Sequence, residues 1–406
     1  MKSFKVLTTS MLLCCATLQA QEKEITITVS NQWEKAKENE PIVLDIHKLN
    51  PKFSVKSAII MDGNYEIPSQ LDDLNGDLIA DELAFILDMP AQSNKQIKVK
   101  LSAKKNQKNY PAQVYAEMLM SDKKKKYPHI QSLTVPGESD VYNSLHHHGP
   151  AFESELVAYR IYFDKRQTVD IYGKRRKGFE LRDTRFYPTQ EQLANGYGDD
   201  VLWVGSTCGA GTLKGWENNK PAHIIPTWRT ECIRSYGPIR TVVDVIDAGW
   251  QYQGSELTMT TRYILYGGHR DVQVNVFFEE PLKEETFCVG VINVKDSEHF
   301  TDHKGLIGCW GSDWPAGAKD TLNRVRETVG LATCIPSQYV QEEKLDAENL
   351  LYVVGAPNKK QLTYYISFAS LKEEFGYKNK EEWFRYMQQW KKELEHPCSI
   401  KISKKK

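Results

Sequence analysis

Six runs in the second half of the chain restrict the fold most: IRTVVDVIDAGW (239–250), ELTMTTRYILYG (256–267), DVQVNVFFEE (271–280), FCVGVINV (287–294), NLLYVVGA (349–356) and LTYYISFAS (362–370). They are long and rich in β-branched and aromatic residues. Such side chains pack well on a pleated surface and lose rotamer freedom in a helix, so the runs predict strands. Strands of this length and number suit a large two-sheet sandwich better than a string of small modules. Earlier runs are shorter. EITITV, PIVLDI, SAIIM, ELAFILDM and QIKVKLSA lie between Asn, Asp, Gly and Pro turns and predict a small β-sandwich.

The predicted fold is therefore mainly β, with a small N-terminal sandwich over residues 21–122 and a large β unit over 123–406. The lysines at 123–126 and the stretch after them read as the link. One helix is expected near the end. Asn379 is its cap, Glu382 completes a capping-box-like pair, and Trp383, Met387, Trp390 and Leu394 form one apolar stripe that packs on the sandwich.

Lys+Arg and Asp+Glu are equal at 53 each, so no global field favours nucleic acid or an anionic membrane. Residues 1–20 read as a signal peptide: Lys2 and Lys5, a short apolar run, then Leu18-Gln19-Ala20 before a polar segment. Leu13 is bulky for the position before a lipidated cysteine, so a soluble periplasmic or secreted product is favoured over a lipoprotein. No later segment has the length of apolar sequence a membrane span needs. Cys208, Cys232, Cys288, Cys309, Cys334 and Cys398 are widely spaced and form no C-x-x-C pair. Zinc-ribbon and thioredoxin readings therefore fail, and burial as small hydrophobes is at least as good a reading as disulfides.

Two stretches carry chemistry. In DDLNGDLIADE (72–82), Asp73, Asn75, Asp77 and Asp81 alternate, and a tight loop would aim their oxygens at one structural calcium ion. Leu78 stands where a calcium loop has glycine, and no twelfth-position glutamate follows, so a metal-free Asx turn fits as well. The second stretch is SLHHHGPAFESELVAYRIYF (144–163). Three adjacent histidines, His146, His147 and His148, cannot easily all face one ion, which argues against zinc. ELVAYRIYF and TVDIYG then predict a hairpin. Alternation places Arg160 and Tyr162 with Tyr172 and Lys174 on its polar face, a set that suits an anionic sugar. His269 and Arg262 lie on polar faces of later strands and extend the candidate binding set. Glu153, Glu155 and Glu231 are possible acid–base carboxylates. No Walker loop, dinucleotide fingerprint or G-x-S-x-G elbow occurs.

QLDDLNGDLIADELAFILDM and HHGPAFESELVAYRIYFDKRQTVDIYGK resemble the domain-of-unknown-function family 4861 of Bacteroidota, over nearly the whole chain after residue 20. The resemblance implies a galactose-mutarotase-like β-supersandwich for the large unit. It also implies kinship with an ulvan-oligosaccharide dehydratase. The activity expected on that basis is polysaccharide breakdown by β-elimination, as a dehydratase or lyase, on a non-reducing-end uronic acid of an oligosaccharide. No cofactor is required for it. His147 or His148 would be the base, Tyr162 or Tyr172 the acid, and Arg160 with Lys174 the carboxylate clamp. A paired-carboxylate glycoside hydrolase and a non-catalytic oligosaccharide-binding protein remain the alternatives.

Overall fold

A computed structural model describes residues 21–121, 126, 128–184, 188–317 and 324–403. The expected signal peptide and most of the lysine-rich link lie outside the described residues. Among these, no helix is long and apolar enough to cross a membrane.

The chain is mainly β, in several antiparallel sheets with sandwich-like packing and a C-terminal helix. In the first unit, Glu22–Asn31 pairs with Ser93–Ser102, which pairs in turn with Ser57–Asp62. Alternation sends Ile25, Ile27 and Val29 inward with Ile97, Val99 and Leu101. They meet Leu83, Phe85 and Leu87 of a smaller three-stranded sheet in one core.

The large unit is built on a nine-stranded sheet whose centre is Gln361–Ser370, Asp271–Phe278, Ser255–Tyr266 and Arg240–Tyr252. Its inner face, with Val272, Val274, Val276, Tyr263 and Leu265, shares one core with two five-stranded sheets. One of these carries the hairpin. Two strands cross the boundary expected at residue 122: Val114–Glu117 joins the hairpin sheet, and Ser399–Ile402 pairs with Glu22–Asn31.

The outer face of the nine-stranded sheet is covered twice. Val242, Ile264 and Tyr266 meet Val43, Leu74 and Ile86 of the first unit. Beside them the Arg240 guanidinium is bound by Asp72 and Glu82. Further along, Trp383, Met387 and Trp390 of the helix Lys380–Glu395 pack on Leu306, Ala332 and Ala369, as the stripe predicts. Asn379 caps that helix by accepting from the Glu382 amide, while Glu382 accepts from the Lys378 amide. A cleft of about 650 Å³ remains between the two coverings, lined by His269, Asp271, Tyr365 and Trp390 among others.

Among the described residues the six cysteines are free, five of them buried. The acidic loop folds as nested Asx turns. Asp73 accepts from the Gly76 and Leu78 amides, Asn75 from Asp77, Asp77 from Ile79, and Asp81 from Leu74. Leu78 adopts the left-handed φ of 68° that the sixth position requires, without being glycine.

Candidate active site

The predicted hairpin forms, in a register that sets Arg160 opposite Asp170 and Ala158 opposite Tyr172. Its first strand is shorter than the run suggests, Ala158–Ile161 paired to Val169–Gly173. The polar face is not open, however. Arg160, Tyr172 and Lys174 are each about 99% buried or more. The segment that follows folds back over them: Lys174 Nζ holds the carbonyls of Ser154 and Gly178, and Glu153 accepts from the amides of Glu180 and Leu181.

That burial changes what the cations do. Lys174 Nζ lies 2.6 Å from Glu153 Oε2, with both side chains fully buried. Arg160 Nη2 lies 2.5 Å from Asp170 Oδ2 and 3.2 Å from Asp200 Oδ1. An expected clamp whose charges are already matched by internal carboxylates has little attraction left for a substrate anion. Burial raises Asp200, with Arg160 opposing and Asp170 reinforcing the shift. Tyr172 faces Glu180, and burial raises both groups.

The histidines separate into two roles. His147 and His148 both take left-handed backbones, φ 56° and 67°, which side chains other than glycine adopt at a cost of about 1 kcal/mol or more each. The kink defeats the expectation from adjacency. His146 Nδ1 is 2.9 Å and His147 Nε2 3.3 Å from the same Glu117 Oε1, so two of the three rings do converge. Glu117 arrives there because its strand pairs Glu117 with Ala151. Burial pushes its pKa up, but the hydrogen bonds of His146 and His147 outweigh this and hold it at about 2. Tyr115 donates to its other oxygen at 2.5 Å. Among the described residues, Glu117, His146 and His147 are the group whose ligand atoms could hold a metal ion.

His148 turns the other way. Its ring stacks on Tyr142 at 3.4 Å and 9° and meets Tyr162 edge-on at 5.6 Å. Nδ1 lies 3.1 Å from the Tyr142 carbonyl, which can only accept, so Nδ1 carries the proton and Nε2 the basic lone pair. Burial, then the nearby Arg160 charge, lowers its pKa to about 3. Tyr162 donates to Asp170 Oδ2 at 2.6 Å. Arg166, partly exposed, holds its guanidinium 5.2 Å from the Tyr142 ring and 5.0 Å from the Tyr162 ring. Asp164 engages its Nε and Nη2.

Gly149 lets this turn lie against the hairpin. A Cβ there would sit 1.9 Å from the Ile161 carbonyl oxygen. The His148 carbonyl accepts from the Phe163 amide, and that of Pro150 from Ile161.

The other expected residues lie elsewhere. Arg262 is bound in two places to Asp244 and reaches the Leu74 carbonyl, a strut to the first unit. His269 lines the cleft, where Asp271 and the Asn39 carbonyl bind its two nitrogens. Glu155 accepts from the Gly268 amide. Glu231 is wholly buried in the sandwich, and neither carboxylate oxygen meets a hydrogen-bond partner among the described residues. Tyr142, Arg166, Glu117, Asp170 and Asp200 were not identified from sequence. Only Asp170 carried a usable signal, its place opposite Arg160 in the hairpin.

A family model described as a domain of unknown function, DUF4861, matches residues 29–400. No curated protein matches. Two solved structures from Enterococcus faecalis are similar. One is described as a protein in glycosyl hydrolase family 38, 9% identical with a TM-score of 0.46, covering 94% of this chain and 47% of the other. The second is described as an alpha-mannosidase, 10% identical with a TM-score of 0.45, covering 94% and 46%. The chain spans about half the length of these structures, and likeness at that level carries no argument about activity.

Proposed function

The chain belongs to the DUF4861 family, and from that premise we propose that it is a carbohydrate-active enzyme performing β-elimination at a non-reducing-end uronate of an oligosaccharide. The supporting observation is the contact set of His148, Tyr142, Tyr162 and Arg166, which joins a base, two phenols and a cation. Elimination across C4–C5 calls for a base, an acid and a cation at the carboxylate. His148 Nε2 takes the C5 proton, the electron pair left behind forms the C4=C5 bond, and the C4–O bond breaks. Tyr142, the less buried phenol, protonates the departing oxygen, which leaves as water because O4 of a non-reducing-end residue carries no further sugar. Arg166 is paired with Asp164 through Nε and Nη2 but, unlike Arg160 and Lys174, is partly exposed, and its Nη1 meets the substrate carboxylate, whose neutralisation acidifies C5–H. Asp170 accepts from Tyr162 and pairs with Arg160, which orients the phenols beneath the substrate. Lys174 takes no part in the clamp.

The basic and apolar character of residues 1–20 supports export, which would place the enzyme with extracellular glycan. The test is incubation with glucuronate-ended oligosaccharides under ultraviolet detection of the conjugated unsaturated uronate. Tyr142→Phe keeps the ring stack and should lower kcat by about 10²–10⁴-fold. Release of free sugar without an absorbance rise would replace this reading with hydrolysis. Silence across a broad uronate panel would sink it.

A further inference from the structure

We propose that Glu117, His146 and His147 bind one divalent transition-metal ion of the zinc class. Their ligand atoms lie within 4.8 Å of one another and all three side chains are buried. Zinc bonds of about 2.0–2.1 Å place tetrahedral ligand atoms roughly 3.3 Å apart. Glu117 Oε1 lies 2.9 Å from His146 Nδ1 and 3.3 Å from His147 Nε2, close to that edge. The convergence is imposed on the backbone: His147 is left-handed, with φ 56° and ψ 14°, and the adjacent rings sit 4.1 Å apart over one carboxylate.

A purely hydrogen-bonded cluster accounts for part of this, because each imidazole can donate to Glu117. It accounts less well for His147 Nε2, which faces two oxygens, Glu117 Oε1 at 3.3 Å and the Leu181 carbonyl at 2.9 Å. One N–H hydrogen cannot point well at both. A cation held by the two nitrogens and Glu117 Oε1 leaves a fourth position, and the Leu181 carbonyl lies 2.9 Å from one of those nitrogens. The Tyr115 hydroxyl on Glu117 Oε2 has the place of an outer partner that orients a ligating carboxylate. Two imidazoles with a carboxylate suit zinc, cobalt, nickel or copper, whereas magnesium and calcium prefer oxygen alone. The inference stands apart from the elimination chemistry because it is read from metal content.

The full chain would be stripped with a chelator and then offered zinc, cobalt or magnesium separately. After desalting, metal content and unfolding temperature would be measured. The proposal expects about one zinc per chain, as a single four-coordinate site requires. It also expects a raised unfolding temperature with zinc and cobalt but not magnesium, and the visible absorption of four-coordinate cobalt. Tyr115→Phe should weaken zinc binding by about 10–100-fold while leaving the metal-free chain folded. Glu117→Gln should abolish retention. Wild-type protein that retains far less than one ion and shows no shift would overturn the site. Undiminished binding by both variants would overturn it equally, since the zinc would then sit elsewhere.

Discussion

Replacing Lys174 by methionine separates a structural from a substrate-binding role for this cation. Lys174 and Glu153 form an ion pair at 2.6 Å with neither side chain exposed. Removing one partner of such a pair leaves an uncompensated buried charge and costs about 3–5 kcal/mol. Two further donations, to the Ser154 and Gly178 carbonyls, are lost with it. The stranded Glu153 must then take up a proton to stay buried. Its pKa is already raised in the wild type by burial, against the opposing Lys174 charge. A carboxyl with a folded pKa above its unfolded value stabilises at low pH and loses that contribution as pH rises. The deficit of Lys174→Met should therefore begin to grow once pH passes the raised Glu153 pKa of the wild type, by at most about 1.4 kcal/mol per unit.

Urea unfolding followed by tryptophan fluorescence at pH 5 and pH 8 measures this directly. Adding Glu153→Gln to Lys174→Met should recover part of the loss, since the amide carries no charge to desolvate. A deficit below about 1 kcal/mol, or one independent of pH, would refute the reasoning. So would a well-folded variant whose only defect is a raised KM for a uronate substrate, because Lys174 would then be serving the clamp.

Other perturbations probe separate parts of the fold. The Asp271 carboxylate and the Asn39 carbonyl outweigh burial and raise His269 to about 9. Its contribution is complete below the unfolded pKa of about 6.5 and is lost as pH rises through 9. The stability advantage of wild type over His269→Gln should thus shrink between pH 6 and 10, by on the order of 2–3 kcal/mol at most, as a fifth of the side chain is exposed. Gly149→Ala drives a methyl into the Ile161 carbonyl and should cost about 3 kcal/mol or more by urea midpoint; a loss within error would show that the turn can shift freely. Glu231→Met removes a wholly buried carboxyl without a hydrogen-bond partner among the described residues. It should raise stability by about 1–3 kcal/mol, and a lowered unfolding temperature would contradict that.

What the sequence revealed about the site follows from which interactions are local. Strand alternation across a short turn put Arg160, Tyr162, Tyr172 and Lys174 on one hairpin face, and the spacing of Trp383, Met387 and Trp390 identified the buried helix face. Both depend only on the period of the backbone. Glu117 lies 29 residues before His146 and meets it through a neighbouring strand, a pairing that no spacing reports. The adjacency of the histidines pointed away from convergence because a regular backbone would spread them. A left-handed residue at His147 reverses this, and nothing in HHHG encodes that angle. Polar alternation on the hairpin suggests a face open to an anionic sugar, and the structure closes that face. It is buried because Asp170 of the hairpin itself, with Glu153 and Asp200 from neighbouring strands, neutralises it.

The pairing of Ser399–Ile402 with Glu22–Asn31 has a consequence in time. A ribosome delivers the small sandwich before the large unit, yet one flank of its strand Glu22–Asn31 stays bare until residues 399–402 emerge. That flank presents unpaired amides and carbonyls, the kind of edge on which neighbouring chains can add strands. The small sandwich therefore precedes the large unit in synthesis yet is completed after it, and deleting residues 399–402 would leave the folded protein with the exposed edge of its own nascent chain.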